Sequence, residues 1–558
     1  MNTGMLQLKG RVGIHGAKEH PHAARRLRVG LPALDWVDVA ADAPDDLPVV
    51  SLARDNSLVE GAFAIKVSNS GTPTIDIAGG PFSGVIYGVE ELIQKQAKTT
   101  GATVDLPVGT IQQAPGLPYR TYWNWDQTTN WDMVQIGVQE IGVMNPYSKP
   151  ADGFLRDYKR CVDFMSKNRI AAVTIFGFLR ESHGGIEAAQ ELCRYATERG
   201  VRIMPGVAIN AYGGVVWEME HEYNLATWLR KHPELAAEME RPAGFQIGDL
   251  EHTLYFPRGD YAVRGCPSRK ENQDWMAEGI AWLAENFEIG GINIEAGDYG
   301  VCGCHLCEAR RAEREDATRR DGYAESWSHA DMADFYPRLY EAALKHRPDA
   351  WIYSEIQWDN LFDHEAMAPL TSLPEGGIYQ HTLNRTYWNR VQQEMTPEYG
   401  ASIPMKTNVF RSQCNCQWNG DRRTERYFFN GLDFAKMAKK AHEVGFKGLT
   451  VWGEASAFET NVELSYLAFA RFSWDPTLTW EQFISGDLAQ LLGGVDAANR
   501  YLEIATALDQ HAVLDAAIVR GFQREALAAA QNSDDEISRR WLWLASHIAK
   551  RQYTVSTM

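Results

Sequence analysis

Basic charge is scarce in this sequence. Fifty-five Lys and Arg stand against 73 Asp and Glu in 558 residues, a formal net charge of −18. No block of basic residues reverses that balance locally, which argues against nucleic acid or anionic lipid as a main partner. Long apolar runs are missing too. The longest fall far short of the roughly 18 residues a membrane span needs. The N-terminal stretch MNTGMLQLKGRVGIHGAKEH lacks the apolar core of about 7–15 residues that marks a secretory signal, so the expected location is cytoplasmic. No Walker sequence and no strand-borne G-x-G-x-x-G is present, which leaves nucleotide-dependent chemistry without support. His221-Glu222 starts like H-E-x-x-H, but Leu225 stands where the second His belongs and Ala226 follows it, so the zinc-protease motif is absent. Internal repeats and low-complexity segments are absent as well.

What is there is an ordinary globular composition, 45% hydrophobic, 23% charged and 11% aromatic, long enough for three or four units or for a closed barrel with companions. Tryptophan is abundant, at 18 residues. Indoles of that number serve either as core and interface aromatics with a bonded N–H or as platforms on which sugar rings stack, and position decides between the two.

Residues 1–115 carry short β-like runs, at 47–53, 61–68 and 72–79, and a helix from Gly84 with Val85, Val89, Leu92 and Ile93 on one face. They read as a small α+β domain. The segment QQAPGLPYR at 112–120 reads as a linker. From Thr121 onward come eight short apolar runs, starting near residues 121, 171, 201, 291, 350, 376, 406 and 448, each followed by a helical stretch. Nearly continuous apolar strands alternating with helices demand a parallel sheet covered on both faces, and eight such units predict a (β/α)8 barrel over 116–475. An insertion of about 50 residues separates the third and fourth strands, on the face where barrel active sites form. Residues 476–558 read as a helical C-terminal region.

Catalytic groups of this fold come from the carboxyl ends of the strands. Those ends carry Trp125-Asp126, Glu295 with Asp298 three residues on, Glu355 followed by Trp358, Gln380-His381, Arg411 and Trp452 followed by Glu454. Converging carboxylates and tryptophans suit glycosidic bond cleavage, in which one carboxyl group protonates the leaving oxygen and another acts as base or nucleophile. Glu295 or Asp298 is the expected general acid and Glu355 the partner. Trp125, Asp126, Trp358, His381, Trp388, Arg411, Trp418, Trp452 and Glu454 are the expected substrate-binding residues. A strand-end acid can also pair with an Arg or cap the next helix, and His381 can either bind substrate or orient a carboxylate.

Cys302, Cys304 and Cys307 form C-x-C-x2-C directly after the fourth strand. With Cys266 or His305 as a fourth ligand they could hold a structural zinc, and the alternative is reduced, buried or disulfide-linked cysteine. Cys414 and Cys416 follow the seventh strand and carry a weaker signal.

An N-terminal α+β domain closing with GVIYGVEELIQ, a PGLPYR linker and then a barrel resembles the family 67 α-glucuronidases, the family 20 and 84 hexosaminidases and the family 89 α-N-acetylglucosaminidases. The stretch YLAFARFSWDPTLTWEQF at 466–483 is similar to the barrel exit in that group. The Asp298 and C-x-C-x2-C patch, preceded by Cys266-Pro267, resembles an uncharacterised relative. Family 20 carries adjacent Asp-Glu on the fourth strand and family 84 an Asp pair, whereas this chain has Glu295-Ala-Gly-Asp298. The resemblance implies an exo-acting glycoside hydrolase that needs no cofactor for catalysis and takes a carbohydrate substrate. Two other readings stand beside it: a carbohydrate-binding barrel without catalysis, and a metal-dependent lyase or isomerase. A monomer and a homo-oligomer are equally open.

Overall fold

The computed structural model describes residues 4–40, 44, 46–125, 151–208, 214–217, 219–238, 264–295, 301–313, 328–356, 361–383, 385–412, 429–452, 460–510 and 515–556. A mixed eight-stranded sheet comes first. Its strands are β1 Met5–His15, β2 Leu34–Asp38, β3 Val49–Arg54, β4 Phe63–Ser68, β5 Thr74–Gly79, β6 Lys98–Thr100, β7 Thr103–Pro107 and β8 Gly109–Gln113, in the order β6-β7-β1-β3-β5-β4-β8 with β2 beside β1. Helices α1 Pro21–Gly30 and α2 Gly84–Glu91 bury their apolar faces in the same core, where Leu27, Val85, Tyr87 and Val89 meet Val12, Ile65 and Ile77.

The eight apolar runs close into a parallel barrel. Its strands are β9 Tyr119–Trp125, β10 Ala172–Phe176, β11 Arg202–Ala208, β12 Gly291–Glu295, β13 Trp351–Ile356, β14 Gly377–Leu383, β15 Asn408–Ser412 and β16 Gly448–Trp452. Each pairs with the next, and β16 closes on β9 through Gly448 with Tyr119 and Trp452 with Trp123. All five residues of β10 are buried, as a strand covered by side chains on one face and helices on the other requires. The principal surrounding helices are α3 Ala151–Asn168, α4 Gly185–Thr197, α5 Leu225–Lys231, α6 Lys270–Asn286, α7 His305–Glu313, α8 His329–His346, α9 Arg385–Glu394 and α10 Gly431–Glu443. In α3, Phe154, Tyr158, Cys161, Val162 and Met165 recur at helical spacing and are buried. The expected insertion lies between β11 and β12 and contains α5 and α6. It is tied back to the β10 loop by Trp217 N–H to Leu179 O at 2.9 Å.

The chain leaves the barrel through α11 Thr460–Trp474 and ends in a helical region that includes α12 Val495–Gln510, α13 Ala516–Gln531 and α14 Asp535–Ser556. Trp474, at the end of α11, lies in the core of the N-terminal sheet, stacked on Phe63 with ring centroids 6.0 Å apart. No helix among the described residues is long and apolar enough to cross a membrane.

Candidate active site

Side chains on a strand alternate between lumen and helical layer, so parity decides which polar residues can meet. The lumen is layered. Tyr119, Ala172, Met204, Trp351, Tyr353, Ile378 and Val409 fill its lower part. Tyr353 of this layer shares a hydrogen bond of 3.0 Å with Thr121 across the barrel. At the carboxyl ends of the strands the filling becomes polar. Glu355, 1% exposed, accepts hydrogen bonds from Trp123 Nε1 at 3.1 Å and Asn293 Nδ2 at 3.0 Å, and forms an ion pair with Arg411. Gln380 Nε2 donates to Asn293 Oδ1 at 3.3 Å, and the Arg411 guanidinium lies 4.6 Å from the centroid of the Trp123 ring. Strands β9, β12, β13, β14 and β15 thus converge on one carboxylate.

Glu295 ends β12, is 3% exposed, and shares the inward parity of Asn293. Since Ile294 pairs with Ser354, Glu295 stands beside Glu355 on the adjoining strand. From the helical side the Tyr336 phenol feels both carboxylates: burial first, then the charges of Glu295, Tyr340 and Glu355, push it well above the usual tyrosine range. An ion-paired carboxylate that also takes two neutral donors is an ionised one. These contacts stabilise the charged form of the Glu355 carboxylate.

An aromatic wall continues from this cluster. Trp123 packs on Phe176 with ring centroids 4.7 Å apart, and Phe176 meets Trp217 at 6.0 Å. Gly206 makes room for it, because a Cβ there would come within 2.5 Å of the Phe176 ring. Arg180, fully buried, lies 5.2 Å from the Trp217 centroid. Its place depends on Gly177, whose φ of +81° and 2.4 Å approach to Arg180 Nε exclude a side chain.

Glu295 and Glu355 end adjoining strands, and Arg411, expected to bind substrate, is ion-paired with Glu355 and so positions that carboxylate. Two expected binding residues require correction. His381 has the opposite parity to Gln380 and faces the helical layer, with Nε2 2.9 Å from Asn408 Oδ1 and its ring 5.6 Å from Phe446. Burial, the largest effect, lowers its pKa to about 4. Trp388 sits on α9 as a buried core residue against Phe410, outside the lumen. Trp125 and Trp452 end β9 and β16, and their side chains are outside the described set. Asp126, Asp298, Trp358, Trp418 and Glu454, with Cys414 and Cys416, lie outside the described residues. The sequence reading missed Trp123, Asn293 and Arg180. For the first two a signal existed: they lie two residues before Trp125 and Glu295, at the same parity.

The four cysteines singled out in the sequence also meet. The sulfurs of Cys266, Cys302, Cys304 and Cys307 lie within 4.8 Å of one another, and all four residues are buried. They are free thiols. Hydrogen bonds from Cys266 and then Cys307 hold the Cys302 thiol well below the usual range, and the same contact with Cys302 pushes Cys266 up.

No family model matches the chain, and no curated protein matches it. Solved structures do. A chitobiase from Flavobacterium johnsoniae, of family 20, aligns over 100% of this chain and 87% of its own with a TM-score of 0.51 and 12% identity. A Streptomyces plicatus β-hexosaminidase in complex with N-acetylglucosamine aligns over 89% and 93%, with a TM-score of 0.50 and 14% identity. The chain has the fold of the family 20 hexosaminidases. An inactive variant of a family 20 exo-β-N-acetylglucosaminidase from Vibrio harveyi aligns over 89% and 76%, with a TM-score of 0.50 and 11% identity. The expected (β/α)8 barrel, with its N-terminal α+β domain and helical end, is the architecture observed.

Proposed function

We propose that the chain is an exo-acting glycoside hydrolase in which Glu295 supplies the proton to the leaving oxygen and Glu355 is the ionised partner. The observation that carries this reading is the pair of buried carboxylates on adjoining strands at the carboxyl end of a closed barrel, one of them ion-paired with Arg411. Glycosidic cleavage needs one acid and one charged carboxylate flanking the bond. Arg411, Trp123 and Asn293 supply what keeps Glu355 charged and oriented, which leaves the proton to Glu295, with Asp298 as a second carboxyl group on the same loop. The exo reading is supported by the insertion after β11, which follows a strand's carboxyl end, the face on which barrel active sites form. The similar structures are named for N-acetylglucosamine and its glycosides, so β-N-acetylglucosaminides head the substrate panel. Uronides come second, because the cation that could clamp a uronate, Arg411, already holds Glu355.

The test is hydrolysis of aryl glycosides of both anomers, covering N-acetylhexosaminides, uronides and neutral sugars, with Glu295→Gln, Glu355→Gln and Asp298→Asn as variants. Turnover of one sugar class that falls by about 10²–10⁴ in folded Glu295→Gln is the expected result. Activity retained in that variant overturns the assignment of the acid. The engagement of both Glu355 oxygens favours one rival, a sugar-binding barrel without catalysis. Saturable binding with no turnover across the panel would establish it.

A further inference from the structure

We propose that Cys266, Cys302, Cys304 and Cys307 bind one zinc ion in a closed four-thiolate centre that fixes the loop after β12 to the returning end of the β11 insertion. A zinc–thiolate bond of about 2.3 Å sets the edges of a regular tetrahedron near 3.8 Å. Cys266 Sγ lies 3.6 Å from Cys304 Sγ and 3.7 Å from Cys307 Sγ. Those separations are far too long for a disulfide, whose sulfurs stand about 2.05 Å apart, and they match thiolates gathered around one ion. Four sulfurs and no oxygen or imidazole select a soft, tetrahedral metal, and zinc is the common one.

The surroundings suit thiolates. Glu238 N–H points at Cys302 Sγ from 3.3 Å, the Ser268 hydroxyl lies 2.7 Å from Cys307 Sγ, and Arg310 Nη2 lies 3.8 Å from the same sulfur. Four thiolates around a divalent ion carry two net negative charges, and Arg310 and Arg311, themselves paired with Asp331 and Asp334, lie beside them. Arg311 Nη2 also donates to Cys302 O at 2.6 Å, and both arginines are anchored on Asp331 of α8. Donors aimed at ligating sulfurs are the outer contacts that tune a metal site.

The centre joins three pieces of chain that are also held by hydrogen bonds. Residues 235–238 meet 264–266 through Ala237 N–H to Arg264 O at 2.7 Å and Cys266 N–H to Leu235 O at 3.0 Å, and they meet the β12 loop through Gly303 N–H to Glu238 O at 2.6 Å. Glu295 ends the barrel strand and Cys302 lies seven positions on in the sequence, so the centre would hold the chain close after the strand that carries the proposed acid. With all four positions sulfur, no ligand site stays open for substrate or water. The metal is structural, and the proposal stands whether or not the barrel cleaves sugars. It also argues against the metal-dependent lyase or isomerase reading.

Elemental analysis of the purified chain tests it, together with X-ray absorption at the zinc edge. One zinc per chain is expected, with a shell of four sulfurs at about 2.3 Å. Cys302→Ser and Cys307→Ser are expected to lose most of the zinc, while Cys161→Ser and Cys193→Ser, buried cysteines elsewhere, keep it. If the ligand variants fail to fold, wild-type protein carries the test: a mercurial reagent should release the zinc in one step, and cobalt reconstitution should give thiolate-to-metal bands. Nitrogen or oxygen in the first shell, no zinc uptake by reduced protein, or a disulfide among the four in freshly isolated protein would each overturn the proposal.

Discussion

Arg411 and Glu355 show what a buried ion pair demands of its neighbours. Both are nearly inaccessible, 6% and 1% exposed, and neither charge would persist there without the other. Removing one partner strands the other in a medium that solvates it poorly, at a cost of about 3–5 kcal/mol. Arg411→Met is therefore expected to lower stability by that amount in urea unfolding, and Glu355→Gln to restore part of the loss when added to it. Additive losses in the double variant would show that the two side chains do not depend on each other. How far the site was legible in the sequence is decided at this scale too. Glu295, Glu355 and Arg411 stand out as polar residues ending apolar strands. Gln380 and His381 stand out equally, but neighbours on a strand face opposite ways, and only packing tells which enters the lumen. Tryptophan content misleads for a related reason. The indoles of Trp228, Trp275, Trp474 and Trp541 donate to protein oxygens, so these four serve packing.

The elements of the barrel were readable because each is buried on both faces and so is apolar nearly throughout. The N-terminal sheet was less so. In β1 the alternation breaks across Lys9, Gly10 and Arg11, all exposed, and β6 is exposed along its whole length, so neither strand carries a clean period of two. Two buried histidines give these elements a pH dependence. In α1, burial and then the charge of Arg199 lower the His22 pKa to about 3, while burial of His381 on β14 lowers its pKa to about 4. Unfolded imidazoles protonate near about 6.5. Between these values the unfolded chain binds more protons than the folded one, so stability falls as pH drops from about 6.5 toward 4. Urea midpoints measured across that window should decline with acid, and the slope should be shallower in His22→Asn. An unchanged slope would show that other groups govern the acid side.

The whole molecule is joined at Trp474. Gly116 and Leu117 at the barrel entrance donate to Trp474 O and Ser473 O at 2.7 and 3.1 Å. The indole stacks on Phe63, meets Tyr87 edge-on and lies under the guanidinium groups of Arg120 and Arg169. Trp474→Ala is expected to cost about 3–5 kcal/mol, as large-to-small changes in packed cores do. The loss should appear in both the sheet and the barrel, so protease susceptibility of residues 5–113 should rise together with that of the barrel. A rise confined to one of them would show that the two units unfold independently.

Trp474 Nε1 bonds to Gln113 Oε1 across a sequence separation of 361 residues. A ribosome reading this chain from its first codon makes the N-terminal sheet early and the side chain that completes its core very late. Until that tryptophan emerges, Phe63 and Tyr87 present an apolar socket to solvent or to a chaperone. Nascent chains stopped before residue 474 should accordingly be chaperone clients, and release should follow the arrival of one indole.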